Sequence, residues 1–321
     1  EDGYHDADTI MHALALHDTL YLCAEDISAD ELAKRTAEGA SREDVAVGGP
    51  ADNLVMTIDL ADRTGQDLAV PAADNLAFKA ADRLSRAVGR DLPEAIQLRI
   101  EKHIPAQGGL GGGSSNAAAV IAGLCRAWGE DAASEAALDV ARALGADGAF
   151  FLHGGCVQLG EKGDVLERTF EPARGTVVLV KIDEGVSTKA AYAAFDELAA
   201  VQHAESTDAI ESAAELPLFN NLAAASEQVL PALAETREWL ASQPGVAHDA
   251  AGEAEVLLCG SGSATFAVVE DGDSIRKAAD IVAAAKLKGM WARSCSFAPI
   301  GVRVLDGQGA GSNLGAPRKI W

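Results

Sequence analysis

No stretch of about 18 consecutive apolar residues occurs in this chain, which excludes a membrane-spanning helix. The start, Glu1-Asp2-Gly3-Tyr4-His5, carries neither the basic segment nor the apolar run of a signal peptide. Cations are scarce: 26 Lys and Arg stand against 49 Asp and Glu in 321 residues, a formal net charge of −23. Duplex binding and adsorption to anionic lipid both depend on clustered Lys and Arg, so neither nucleic acid nor a membrane is an expected partner. Cysteine is sparse and ungrouped. Cys23, Cys125, Cys156, Cys259 and Cys295 include no CxxC pair, which excludes a disulfide framework and a structural zinc site. They read as buried free thiols of a cytoplasmic protein. There is no fixed-period repeat and no long low-complexity tract. What is present is core: 48% apolar residues over a length that predicts one large or two ordinary domains.

Period-two alternation of Ile96, Leu98 and Ile100 with Gln97, Arg99 and Glu101 predicts a half-buried strand. A glycine-rich stretch follows. Beyond it Val120, Ile121, Leu124, Cys125 and Trp128 share one helical face, and Gly129 stops that helix. Ser134 is placed to cap a second helix ending at Gly145, with Asp147 just beyond. Thr176 to Ile182 reads as a buried strand opening a second unit, and the boundary falls near Pro172 to Gly175. Val256 to Cys259 and Phe266 to Val269 are apolar runs joined through Gly260-Ser261-Gly262-Ser263, followed by a helix from about Ser274 to Ala285 and a strand over Trp291 to Phe297. Asp26 to Pro50 and Gln202 to Glu215 read as surface excursions. Strands and helices mixed without strict βαβ alternation predict an α+β chain in two domains, 1–173 and 174–321.

The strongest local signal is Pro105-Ala106-Gln107-Gly108-Gly109-Leu110-Gly111-Gly112-Gly113-Ser114-Ser115-Asn116. Glycines let backbone approach a ligand and adopt positive φ. Ser114 and Ser115 close the loop where the helix is expected to start, and a helix N-terminus offers free N–H groups and partial positive charge to a phosphate. The lysine of GxxxxGK[ST] is missing, and the GxGxxG spacing fails at Ser114. A flexible linker is the bland alternative. A linker would not be bracketed by an amphipathic strand and a patterned helix, so phosphate binding is favoured. The charge of −23, which taken alone disfavours an anionic ligand, is no obstacle to such a site. Backbone amides, a helix terminus and Mg²⁺ hold phosphate locally.

Pro-x-x-x-Gly-Leu-Gly-Gly-Gly-Ser-Ser-Asn-Ala resembles the phosphate loop of the GHMP kinases. Asp2-Gly3-Tyr4-His5, Asp74-Asn75-Leu76, Leu144-Gly145-Ala146-Asp147 and Gly185-Val186-Ser187-Thr188 stand in the order found there. Together they resemble the branch acting on a cytidine diphosphate-linked polyol. The resemblance covers nearly the whole chain and implies a two-domain fold, with a ribosomal S5 domain 2-like N-terminal domain and a ferredoxin-like C-terminal domain. It implies ATP and Mg²⁺ as cofactors, a small-molecule substrate, and a monomer or homodimer. A homoserine- or mevalonate-type kinase and a catalytically dead nucleotide-binding protein are the alternatives.

The resemblance also implies residue roles. Asp147 by itself reads as a turn residue; by resemblance it is the catalytic base and touches substrate. Pro105, Gly108, Gly109, Leu110, Gly111, Gly112, Gly113, Ser114 and Ser115 would cradle the nucleotide phosphates. Asn75 reads equally as the N-cap of a helix over Leu76 to Ala87 and as an adenine or ribose contact. Tyr4 and His5 would otherwise be frayed terminal residues; by resemblance His5 reads the cytosine edge and Tyr4 packs nearby. Tyr192 has helical spacing with Phe195 and reads as core, or as part of an aromatic sandwich on cytosine. Gly260 and Ser261 read as a hairpin turn and, by resemblance, as neighbours of the substrate diphosphate. Asn220-Asn221 reads as structural. No residue is expected to be a protein-held metal ligand. Two departures from the family stand out. Asp147-Gly148-Ala149 replaces Asp-Val-Pro or Asp-Ile-Pro, which predicts a less constrained backbone there. The family's opening strand, with a lysine that orients the transferred phosphate, would lie before Glu1 or is absent; its absence would severely slow transfer.

Overall fold

Alternation and helical periodicity resolve into elements close to where the sequence places them. The structure is a computed structural model that describes residues 9–145, 147–161, 163–198, 207 and 209–306. Its N-terminal half runs β1 (Thr9–His12), β2 (Thr19–Asp26), α1 (Ala29–Gly39), β3 (Val45–Gly48), β4 (Leu54–Asp62), α2 (Leu76–Ala87), β5 (Glu94–Lys102), α3 (Gly112–Trp128), α4 (Glu135–Leu144), α5 (Gly148–His153), β6 (Cys156–Gly160) and β7 (Val165–Phe170). The C-terminal half adds β8 (Thr176–Lys181), α6 (Thr188–Asp196), α7 (Leu222–Val229), α8 (Ala232–Ala241), β9 (Val256–Leu258), β10 (Ala264–Val269), α9 (Ser274–Leu287) and β11 (Trp291–Ser296).

The first half holds a sheet in the order β2-β5-β4-β3, parallel between β4 and β5 and antiparallel elsewhere. Met56 and Ile58 of β4 and Ile96, Leu98 and Ile100 of β5 point to one face, where they pack on Phe78 and Leu84 of α2, Ile121 and Leu124 of α3, and Val140 of α4. The opposite face is polar, with Asp59 exposed beside Arg99 at 3.4 Å. That division is what period-two patterning produces when α2, α3 and α4 pack on one face and the other is largely left to solvent. A second sheet, β1-β6-β7, packs Val157 and Leu159 on Phe150 of α5. The C-terminal sheet, β11-β8-β10-β9, is antiparallel throughout. Val178, Val180, Ala267, Val269 and Ala292 cover its helix face against Leu240 of α8 and Ile281 of α9.

Helix ends follow the sequence signals. Asn75 caps α2, its side chain accepting from the Ala77 N–H at 3.0 Å, and Ser134 caps α4 by accepting from the Ala137 N–H at 3.3 Å. Gly129 closes α3 at φ 75°. The segment Asp26 to Pro50 departs from its reading as an excursion. It contributes α1 on the outside and β3 as the edge strand of the first sheet. The four residues of β3 are too short to show a period, yet Val45 to Gly48 pairs in register with Leu54 to Thr57. Gly39 sits against that strand, where a Cβ would lie 2.5 Å from Val45 Cγ1. Of Gln202 to Glu215, residues 202–206 and 208 lie outside the described residues; Ser212 bridges Glu171, and a 3₁₀ turn spans Ala213–Glu215.

The thiols are not uniformly buried: Cys125 and Cys156 are, Cys259 and Cys295 are half-buried, and Cys23 is exposed. Cys23 falls on the outward side of β2, beyond the reach of the helices. Burial pushes the thiols of Cys156 and Cys259 up to about 12 and that of Cys125 up to about 11, so none of these three is a ready thiolate.

Candidate active site

The glycine loop joins β5 to α3. The helix starts at Gly112, two residues before the expected serines, because Gly111 takes the left-handed conformation (φ 62°) and serves as its N-cap. Ser114 and Ser115 therefore lie in the first turn of α3. The Ser115 N–H donates to Gly111 O at 2.8 Å, which leaves the amides of the turn's outer rim facing out of the helix. Two glycines have no substitute here. A Cβ on Gly109 (φ 69°) would lie 2.0 Å from Cys259 O, and one on Gly111 would lie 2.4 Å from the Phe151 ring. Gly109→Ala should raise the KM for ATP roughly tenfold, from left-handed strain of about 1–2 kcal/mol and the displaced backbone. Unchanged ATP affinity in a titration would show that the loop is not the nucleotide site.

Four other segments converge on this loop. Gly113 meets Leu76 Cδ1 at 3.2 Å from where its Cβ would be, so the start of α2, with Asn75 as its cap, abuts the phosphate turn. A Cβ on Gly145 would lie 3.5 Å from Ser114 Oγ, which brings the stretch before Asp147 to the same place. The Ser263 N–H and Oγ both donate to Gln107 O at 3.2 Å, and the Ala264 N–H donates to Gly108 O at 3.1 Å. The turn holding Gly260 and Ser261 is thus fastened to the loop. A Cβ on Gly185 would lie 3.4 Å from Gln107 O.

Asp147 is half-buried at the N-cap of α5, with its side chain making no capping hydrogen bond. Burial pushes its carboxyl above the ordinary aspartate range. Gly148 donates its N–H to Gly145 O at 2.9 Å, and a Cβ there would lie 2.1 Å from Ala141 O. Packing against α4 constrains the backbone that lacks the proline. Tyr192 is half-buried on α6, whose first residue, Thr188, places its Oγ1 3.4 Å from Ser261 Oγ. Asn220 donates to Leu258 O and Gly260 O, both at 2.8 Å, and so holds the Gly260 turn in the structural role expected of it. Tyr4 and His5 lie outside the described residues.

Two supports were not apparent from motifs. Lys102, 8% exposed in its side chain, pairs at 2.5 Å with Asp18, 1% exposed. Asp18 also accepts the N–H groups of His103 and Ile104 at 2.7 and 2.8 Å. A Cβ on Gly112 would lie 2.7 Å from Lys102 Nζ, so this pair underlies the first turn of α3. A signal existed, because Lys102 continues the buried Ile96, Leu98, Ile100 row of β5. The second support is Gln66, whose Oε1 accepts from the Ala106 N–H at 2.7 Å. Gln66 is itself set by Asp62, which accepts the N–H groups of Thr64, Gln66 and Asp67.

A cradle of glycine backbone at a helix N-terminus, with an uncapped carboxylate on the adjoining helix end, suits phosphoryl transfer: it fixes an anion and leaves a proton acceptor beside it. Comparison with known proteins points to the same chemistry. The profile for the GHMP kinases N terminal domain matches residues 75–155. The 4-diphosphocytidyl-2-C-methyl-D-erythritol kinase of Desulfitobacterium hafniense is 30% identical over 287 residues, 87% of this chain and 84% of that one. The kinase of the same name from Pelotomaculum thermopropionicum is 31% identical over 87% and 85%. A crystal structure of 4-(cytidine 5'-diphospho)-2C-methyl-D-erythritol kinase superposes with TM-score 0.63 over 92% of both chains at 26% identity. Mevalonate kinase from L. major, at 12% identity and TM-score 0.60, shares the fold. Loop, carboxylate and relatives agree: the chain has the α+β GHMP kinase fold and belongs to the 4-diphosphocytidyl-2-C-methyl-D-erythritol kinase family.

Proposed function

We propose that this chain transfers the γ-phosphoryl group of ATP to the 2-hydroxyl of 4-diphosphocytidyl-2-C-methyl-D-erythritol, giving the 2-phosphate and ADP in non-mevalonate isoprenoid precursor biosynthesis. The observation that carries it is the adjacency of the glycine loop, through Ser114, to Gly145, two residues before Asp147. Relatives bearing that kinase name match over 84% and 85% of their length.

The glycines at 109 and 111 let the loop lie against Cys259 O and the Phe151 ring, where side chains would clash, and the first-turn amides of α3 are free to face a phosphate's charge. Mg²⁺ entering with the nucleotide would supply charge neutralisation at the phosphates. Asp147 accepts the proton of the attacking hydroxyl as that oxygen bonds to phosphorus and the bond to the bridging oxygen breaks. Its raised pKa brings it closer to the operating pH than an exposed aspartate. The Ser114 or Ser115 hydroxyl assists at phosphate or metal. Residues 1–173 carry the phosphate loop and the base, and residues 174–321 contribute the Gly260 turn and Tyr192. The scattered, unpaired cysteines support a cytoplasmic location for the enzyme; no helix among its described residues is long and apolar enough to cross a membrane.

An ADP-release assay on the full-length protein tests this. Turnover is expected with the cytidine diphosphate-linked polyol and not with homoserine or mevalonate. His5→Ala should raise the KM for that polyol roughly tenfold, the cost of one hydrogen bond to the base edge, and leave the KM for ATP unchanged. Bound ATP without turnover, or equal turnover of the other alcohols, refutes the assignment.

A further inference from the structure

Lys181, the last residue of β8, is 2% exposed. An ammonium that deep is expected beside a carboxylate, since an unpaired charge withdrawn from water is costly. Lys181 makes no ion pair among the described residues. Its Nζ donates instead to the carbonyls of Ile182 at 2.8 Å and Asp183 at 3.5 Å. Burial pushes its pKa below the ordinary lysine range, with nearby Asp183 opposing the shift.

Strand register locates the side chain. Lys181 stands opposite Ala264 of β10 on one side and Trp291 of β11 on the other. Residues directly opposed in antiparallel strands share a face. Val180, Ala267 and Ala292 occupy the helix-covered face. Lys181 and Ala264 occupy the other, and there the Ala264 Cβ lies 3.6 Å from where a Cβ on Gly108 would be. The two carbonyls that receive the ammonium open the segment leading to Gly185, which packs on Gln107. Three segments therefore meet at this end of β8: the 182–185 segment, which takes the ammonium, the 263–264 turn opposite it, and the phosphate loop packed on Ala264. All three belong to the site, yet the transfer chemistry leaves this cation without a task. The indole N–H of Trp291, in register with it, is buried and has no hydrogen-bond partner among the described residues.

We infer that Lys181 is the buried counter-charge of the phosphate loop: its ammonium is balanced by the phosphates of the bound nucleotide, not by a carboxylate of the chain. It acts as a positioning residue that orders the 182–185 segment and makes the loop discriminate anionic from neutral occupants. This rests on the proposed binding of ATP at the glycine loop.

The test compares ATP with adenosine on wild type, Lys181→Met and Lys181→Arg. Methionine keeps the apolar stem and removes the charge. K181M should bind ATP at least tenfold more weakly and adenosine within twofold of wild type. Its Tm without nucleotide should equal or exceed the wild-type value, because a buried unpaired charge has been removed. K181R should retain the wild-type ratio of the two affinities. A structural role alone would lower the Tm of K181M and leave the ratio unchanged, and that result overturns the inference. Should K181M not fold, wild-type protein labelled with ¹⁵N at lysine Nζ gives the answer, with the Lys181 resonance assigned from K181R. That resonance should move with ATP and stay still with adenosine; no movement with ATP overturns the inference. Wild-type protein that binds no ATP defeats the nucleotide reading and this inference together, whereas tight ATP binding by K181M defeats the inference alone.

Discussion

Asp147→Asn should lower kcat by about 10²–10⁴-fold, the usual worth of a positioned general base, while ATP affinity stays within a factor of two. Asparagine is nearly isosteric but cannot accept the hydroxyl proton, and Asp147 makes no capping bond whose loss would disturb α5. The same substitution should hold or raise the Tm at pH 7. Burial raises the carboxyl pKa in the folded state, so the folded protein binds that proton more tightly than the unfolded chain. The stability linked to the proton is full below the ordinary aspartate range and is lost as pH rises through the raised folded value. Asparagine never ionises and escapes that loss. The Tm gap between variant and wild type should therefore vanish at pH below the ordinary aspartate range, while wild-type kcat/KM falls as the base is protonated. A kcat within threefold of wild type would remove Asp147 from the role of base.

Lys102→Met should cost about 3 kcal/mol of folding stability, the lower end for breaking a buried ion pair by deleting one partner. Asp18 is 1% exposed and would keep only the His103 and Ile104 N–H groups for its charge. Adding Asp18→Asn should recover a large part of the loss, because the orphaned charge and not the missing ammonium dominates the cost. Urea unfolding of the single and double variants measures both numbers. A loss under 1 kcal/mol in the single variant would mean that water reaches Asp18 and that the pair does not underpin α3.

Local chemistry made most of the fold legible. β5, α2 and α4 could be read because each carries its own period or its own stop or cap within a dozen residues, and β8 because it is an unbroken apolar run. The glycine loop was legible for the same reason: a contiguous run of glycine between a strand and a helix records its task in one place. β3 was not, since four residues give too few alternations and its evidence is a partner strand. The start of α3 was read two residues late, because a left-handed Gly111 can cap a helix as a serine does and only its φ reveals it. Asp18 and Lys102 are separated by 84 positions, so no spacing rule links them. Lysine at an inward position in β5, at residue 102, was nonetheless written in the alternation, and Lys181 ends the apolar run of β8. An inward-facing charge on an otherwise apolar row marks a strand end that serves a site.

The bonds from Ser263 and Ala264 to Gln107 and Gly108 have a mechanical meaning. The loop grows from the first sheet but is riveted to the last one, so the halves cannot rock apart like a clamshell without tearing out the floor of the site. A kinase built this way has its phosphate loop tied to both sheets at once.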